Sequence, residues 1–281
     1  MNAAVFSANS RPVIVQTTDL HYRFCTQTDP GRVRSNNEDS VAFDQDTGLC
    51  VLADGMGGYN AGEVASSMAT AFIMSEMTRW LAEAGQQANP RDVQRAIEIC
   101  IENANTAVFQ AAQANDQYTG MGTTLVVGVF QKEQLLLGHI GDSRCYRLRQ
   151  GALAQITKDH SLLQEQLDAG LITPEQAASS TQKNLLTRAL GVEALALSEV
   201  HAHEVMPGDL YLMCSDGLTD MLSHAEISKI LANAGSLEQR AQWLTDAANA
   251  RGGRDNITVL LVNVEPRADK RGLISRWLGK R

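Results

Sequence analysis

Residues Val51–Gly58 read "VLADGMGG": a run suited to a buried strand meets Asp54, and three of the next four positions are glycine. Glycines after a strand suit a phosphate cradled by backbone N–H groups. An aspartate at the strand end suits a cation instead, because a carboxylate repels phosphate and holds a hard metal ion. The details favour the metal. A P-loop needs Lys-Ser/Thr after its last glycine, and here Glu63 follows Gly62; a dinucleotide loop needs glycine where Asn60 stands. The glycines have another use, since Gly55, Gly57 and Gly58 allow a sharp turn and the close approach of a carbonyl or substrate.

The same pattern recurs along the chain. Asp142 follows "LLLGHIG" and Asp216 follows "LYLMCS", both at C-terminal ends of apolar runs, whereas Asp255 precedes "NITVLLVNV" and Glu38 and Asp39 precede "SVAF". Strand-like runs such as "TTLVVGVF", "QLLLGHIG", "CYRLRQG" and "LAQIT" follow one another at hairpin spacing. That order predicts an α+β sandwich of antiparallel sheets with helices packed outside, not a doubly wound parallel sheet. Neighbouring antiparallel strands run opposite ways, so one rim gathers the C-ends of some and the N-ends of others. All these carboxylates can therefore meet on one edge. Two carboxylates about 4 Å apart repel by roughly 1 to 4 kcal/mol at effective dielectrics of 80 to 20. A cluster of four or five raises its pKa values or takes up cations. Oxygen-only donors suit Mg²⁺ or Mn²⁺, where zinc would want His or Cys.

Helical spacing from Val64 to Leu81 predicts one helix, and the stripe Val93, Ala96, Ile97, Cys100, Ile101, Ala104, Ala107, Val108 and Ala111 predicts a second, after the polar break "AGQQANP". Further helices are expected at His224–Ala234 and Leu237–Arg251, and a short one near Ser161–Ala169 within a polar insertion at 158–190. Residues 1–19 carry no clear period and read as an arm. Residues 20–265 read as one domain, and 266–281 as a basic tail.

The 281 residues carry a net charge of −8, which argues against a nucleic-acid partner. Five scattered cysteines without a CxxC pair read as buried thiols in a reducing compartment. No apolar run is long enough to span a membrane and no signal peptide is visible, so the cytoplasm is expected. His201 and His203, in "HAH", lack a third ligand nearby and read as strand residues, and His160, in "KDHS", as a structural loop partner. No G-x-S-x-G nucleophile motif occurs. Arg34, in "RSNNED", lies beside the acids, where a guanidinium can clamp an anion.

In order, "RSNNED", "DGMGG", "GTT", "GDSR", "SDGL" and "GGRDNIT" resemble the metal-dependent protein phosphatases of type 2C. The match runs from about Leu20 to Val264, and "NLLTRALG" with Met56 resembles the bacterial branch. The resemblance implies two stacked antiparallel sheets flanked by helix pairs, with the metal centre at one rim. It implies a serine/threonine phosphoprotein phosphatase that opposes a bacterial Ser/Thr kinase. Asp54 would bridge two Mn²⁺ or Mg²⁺ ions, with Gly55 giving its carbonyl and Glu38 holding one ion. Asp216 and Asp255 would bind the other, and Asp142 and Asp220 match a weaker third site. Arg34 matches the arginine that grips substrate phosphate, and 158–190 the variable flap. The implied chemistry is direct attack of a metal-bridging water, without a phosphoenzyme. Eukaryotic relatives place a histidine, a proposed leaving-group acid, where Met56 stands; methionine cannot protonate that oxygen. A phosphoprotein-binding module that kept only the fold is the competing reading. It predicts a lost ligand, yet Glu38, Asp54, Asp216 and Asp255 all stand.

The last stretch, "RADKRGLISRWLGKR" (267–281), is basic, with Leu273, Ile274, Trp277 and Leu278 at helical spacing. It reads first as a frayed terminal segment and second as a segment for a membrane surface or partner.

Overall fold

The computed structural model describes residues 20–58, 61–84, 88–179 and 185–266. The arm at 1–19 and the tail beyond Pro266 lie outside the described residues. The strands are β1 (Leu20–Asp29), β2 (Asp39–Asp44), β3 (Leu49–Met56), β4 (Gly122–Thr123), β5 (Leu125–Gln131), β6 (Gln134–Ile140), β7 (Arg144–Arg149), β8 (Ala152–Gln155), β9 (Glu199–Glu204), β10 (Leu210–Cys214) and β11 (Ile257–Pro266). The helices are α1 (Ala61–Ala84), α2 (Pro90–Ala114), α3 (Leu162–Asp168), α4 (Pro174–Ser179), α5 (Asp216–Thr219), α6 (His224–Ala232) and α7 (Leu237–Ala250). One sheet has the order β1-β11-β10-β7-β8; the other runs β2-β3-β5-β6-β9, with β4 beside β3. Their strand pairs are antiparallel, as the hairpin spacing predicts.

Burial explains why several strands lack alternation. Every residue of β10, "LYLMC", is buried, because Tyr211 and Met213 face the second sheet while Leu210, Leu212 and Cys214 face α5–α7. Strand β5 is covered in the same way, with Val126 and Phe130 toward the partner sheet and Val127 and Val129 toward α1 and α2. The inter-sheet layer centres on aromatics: Phe130 meets Tyr22, Phe24 and Tyr211 at ring-centroid distances of 5.1, 5.8 and 5.2 Å. The order of layers is thus helix pair, sheet, sheet, helices.

Helix α2 starts at Pro90, its N-cap Asn89 accepting from the Asp92 N–H, and buries Val93, Ile97, Cys100, Ile101, Ala104 and Val108. The 158–190 insertion holds α3, capped by Ser161, and also α4, whose six residues are too few to show a helical period. Helices α6 and α7 stop short of the expected ends at Ala234 and Arg251. The cysteines are unpaired, and all but half-buried Cys25 are buried. Among the described residues no helix is long and apolar enough to cross a membrane.

Candidate active site

Strand ends of both sheets meet at one rim. Asp39, the first residue of β2, pairs directly with Asp54 of β3. Asp142 follows β6, Asp216 opens α5 straight after β10, and Asp255 precedes β11. A cavity of about 260 Å³ lies among them, lined by Arg34, Glu38, Asp54, Gly55, Met56, Gly57, Thr124, Asp142, Leu186, Asp216, Asp255 and Asn256. The C-ends and N-ends therefore converge as antiparallel geometry requires. Asp220 is exposed and outside this lining, but its charge acts on Asp142 and Asp216.

Neighbouring motifs hold the acids by their backbone. The Asp54 N–H donates to Thr124 Oγ1 (3.1 Å), while its carbonyl accepts from the Thr124 N–H and Thr123 Oγ1 (both 2.8 Å). The "GTT" stretch is thus the seat of Asp54. Asn256 ties the β1–β2 loop to the start of β11 by three bonds: its Oδ1 accepts from the Glu38 N–H (2.8 Å), and its Nδ2 donates to the carbonyls of Pro30 (3.0 Å) and Asn36 (2.9 Å). Asn36 Nδ2 donates to Glu38 Oε1 (3.0 Å), and Arg34 Nη2 donates to Asp255 Oδ2 (2.8 Å). Gly55 has a steric reason: a Cβ there would lie 2.1 Å from the Gly62 carbonyl oxygen and 2.6 Å from that of Glu38. Only glycine lets the end of β3 pass so close to the start of α1.

The charges are unbalanced. Burial pushes the Asp54 and Asp216 carboxyls well above the usual range, with the neighbouring aspartates adding to it. Burial first, and nearby acids after it, raise Asp39 and Asp142 to about 6. Asp39 Oδ2 accepts from Ser215 Oγ (2.8 Å), but Oδ1 is buried without a hydrogen-bond partner. Among the described residues Arg34 is the only cationic side chain in the lining, its guanidinium held above its ordinary pKa first by the bond to Asp255. An oxygen-rich cluster with an orphaned carboxylate oxygen and several destabilised anions fits divalent hard cations.

The sequence reading put Asp39 on the acidic rim but gave it no role in the site, and it did not single out Asn256, Thr124 or Ser215. Asp39 had a signal, an acid opening the strand that pairs with the Asp54 strand, but its burial beside Asp54 depends on register. Asn256 had none, since its role is to bridge loops far apart in the chain.

The Protein phosphatase 2C family pattern matches residues 30–255. The chain is similar to the serine/threonine phosphatase stp of Listeria innocua, 37% identical over 246 residues, covering 86% of this chain and 95% of that protein. The fold is similar to the crystal structure of the Mycobacterium tuberculosis serine/threonine phosphatase PstP/Ppp, with TM-score 0.80 and 38% identity over 87% of this chain and 99% of that one. It also resembles the catalytic domain of PstP in complex with two manganese ions, with TM-score 0.76 and 38% identity over 88% of this chain and 99% of that one. Family pattern, close relative and shared fold agree with the acidic rim, and the chain belongs to the protein phosphatase 2C family.

Proposed function

We propose that the acidic rim is the dinuclear centre of a serine/threonine phosphoprotein phosphatase, with Asp54, the Gly55 carbonyl, Glu38, Asp216 and Asp255 holding two Mn²⁺ or Mg²⁺ ions. The enzyme is a metal-dependent serine/threonine phosphatase of the bacterial type. The observation that carries the site assignment is the meeting of these acids in one cavity, with the Asp54 and Asp216 carboxyls pushed up by burial and an orphaned oxygen on Asp39, the strand partner of Asp54. Bound ions supply Lewis-acid catalysis and activate water at neutral pH.

The protein's own groups do the rest. Arg34 is exposed, and its bond to Asp255 uses Nη2, so the guanidinium fork can turn to the phosphoryl oxygens of a substrate. Asp39, the strand partner of Asp54, has Ser215 on one oxygen and leaves its buried second oxygen free to accept a proton. Asp142 and Asp220 form the proposed weaker third cation site. Among the described residues the lining holds no histidine, and Met56 can bind no proton; the titratable acids there are the carboxylates.

The substrates are phosphoserine and phosphothreonine proteins. The proposed setting is the cytoplasm, opposite a Ser/Thr kinase. Residues 158–190 form the proposed flap beside the site, with Leu186 reaching the cavity.

The direct test is phosphate release from a phosphothreonine peptide in millimolar Mn²⁺ and then in EDTA. Release with Mn²⁺ that EDTA abolishes is expected. No release by folded, Mn²⁺-loaded protein would refute the activity.

A further inference from the structure

We infer that His160, helped by Asp159, is a positioning residue that acts through Asp142: the start of the 158–190 segment grips the loop that carries this acid. The inference rests on reading the acidic cavity as the catalytic centre.

Three consecutive residues make the grip. The Lys158 carbonyl accepts from His139 Nε2 (2.8 Å). The Asp159 carboxylate takes a bidentate bond from Arg144, with Nε at 3.0 Å and Nη2 at 2.6 Å. His160 holds both polar backbone groups of Gly141, the residue just before Asp142. Its Nδ1 accepts from the Gly141 N–H (3.1 Å), and its own N–H donates to the Gly141 carbonyl (2.9 Å). Gly141 has φ +101°, and a Cβ on it would lie 2.7 Å from Thr124, so its conformation is closely set. Beyond Asp142, Ser143 Oγ bonds Thr124 Oγ1 (2.7 Å). Asp142 is thus framed on one side by the residue His160 holds and on the other by residues tied to Thr124 and Asp159.

His160 also joins the two ends of the segment. Its carbonyl accepts from the Thr187 N–H (2.9 Å), beside the cavity residue Leu186. Glu199 Oε1 lies 3.3 Å from His160 Nε2 and 3.5 Å from Arg188. The seating of the segment and the placing of Asp142 therefore share one residue, its ring between the Gly141 N–H and Glu199 and its backbone between Gly141 and Thr187.

His139, His160 and Glu199 bring donor atoms within 4.8 Å of one another, a grouping that could suggest a second metal. The chemistry argues otherwise. The Gly141 N–H makes Nδ1 the lone-pair nitrogen of His160, which puts its proton on Nε2, facing Glu199. A cation on Nε2 would force that proton to Nδ1, against another N–H. The His139 and His160 rings also stack, with centroids 4.8 Å apart and planes 16° apart, so their in-plane lone pairs do not converge. Burial lowers the pKa of both histidines, favouring their neutral forms. The cluster is a hydrogen-bonded brace.

A double-mutant cycle tests this on wild type, His160→Ala, Asp142→Ala and the double variant. Each is followed by phosphate release across a Mn²⁺ titration, by calorimetric Mn²⁺ binding and by melting curves. His160→Ala should raise the Mn²⁺ needed for half-maximal activity by about tenfold and weaken calorimetric Mn²⁺ binding in step, the scale seen when groups supporting a ligand are lost. The double variant should be no worse than Asp142→Ala. His160→Asn, whose Oδ1 can take the Gly141 N–H, should recover most of the loss. Multiplicative losses in the double variant, or an unchanged Mn²⁺ response in His160→Ala, would overturn the inference. So would an Asp142→Ala protein that behaves as wild type. If His160→Ala does not fold, the same cycle is run with Asp159→Asn, which breaks the Arg144 bond and should likewise add nothing to Asp142→Ala. Wild-type protein that binds Mn²⁺ but releases no phosphate would refute the activity instead, and the cycle is then read from calorimetry.

Discussion

Neutralising Asp54 should stabilise this protein without metal and weaken it with metal. Asp39 and Asp54 stand directly opposite each other across β2 and β3. Side chains so placed lie about 5 Å apart. Two unit charges at that distance repel by about 0.8 kcal/mol in water and about 3 kcal/mol at an effective dielectric of 20. Burial and the Asp216, Asp142 and Asp255 charges push Asp54 further in the same direction. Asp54→Asn removes this repulsion, and its amide can donate to Asp39 where a carboxylate cannot. In EDTA at pH 7.5 the variant should be more stable than wild type by about 1–3 kcal/mol, or roughly 2–6 °C in Tm for a chain of this size. With Mn²⁺ the order should reverse. Wild type gains about 2.7 kcal/mol when the free ion is a hundred times its Kd, and the variant should gain little. Scanning calorimetry of both proteins, in EDTA and in millimolar Mn²⁺, measures all four values. A variant less stable than wild type in EDTA, or equally stabilised by Mn²⁺, would refute the view that the acids are held together against their own repulsion for the sake of a cation.

Other outcomes follow from the same geometry. Asp39 and Asp142 have folded pKa values of about 6, so they contribute stability that is complete below the unfolded value near 3.9 and lost as pH rises through 6. The metal-free protein should therefore gain stability from pH 7 to pH 5.5, by about 0.8 kcal/mol per group over this range; a melting temperature that is flat or falls over this range in EDTA would contradict it. Arg34→Ala should lower kcat/KM for a phosphopeptide by roughly 10- to 100-fold, the worth of a charge-assisted hydrogen bond, with Arg34→Lys recovering only part; steady-state kinetics at saturating Mn²⁺ decides. Gly55→Ala drives a Cβ to 2.1 Å from the Gly62 oxygen and should cost about 3 kcal/mol or more, seen as a lower urea midpoint.

Much of this protein is written locally. The Val93–Ala111 stripe makes α2 on its own spacing, and the succession of apolar runs at hairpin intervals dictates antiparallel sheets. Once antiparallel pairing is granted, acids at C-ends and N-ends must reach one rim, so Asp54, Asp142, Asp216 and Asp255 were legible as a group. Those inferences need only short-range patterns and strand direction. Tertiary structure decided the rest, because it turns on register and on contacts between residues far apart in the chain. A one-residue slip between β2 and β3 would take Asp39 away from Asp54 and turn its side chain to the other face. Asn256 is a bridge only because residues 30, 36 and 38 lie within its reach. His160 reads as an ordinary loop histidine until the fold brings Gly141 to one ring nitrogen and Glu199 to the other. Charge and periodicity travel with the residues themselves; the partner of each buried polar atom is chosen only when the two sheets close on each other.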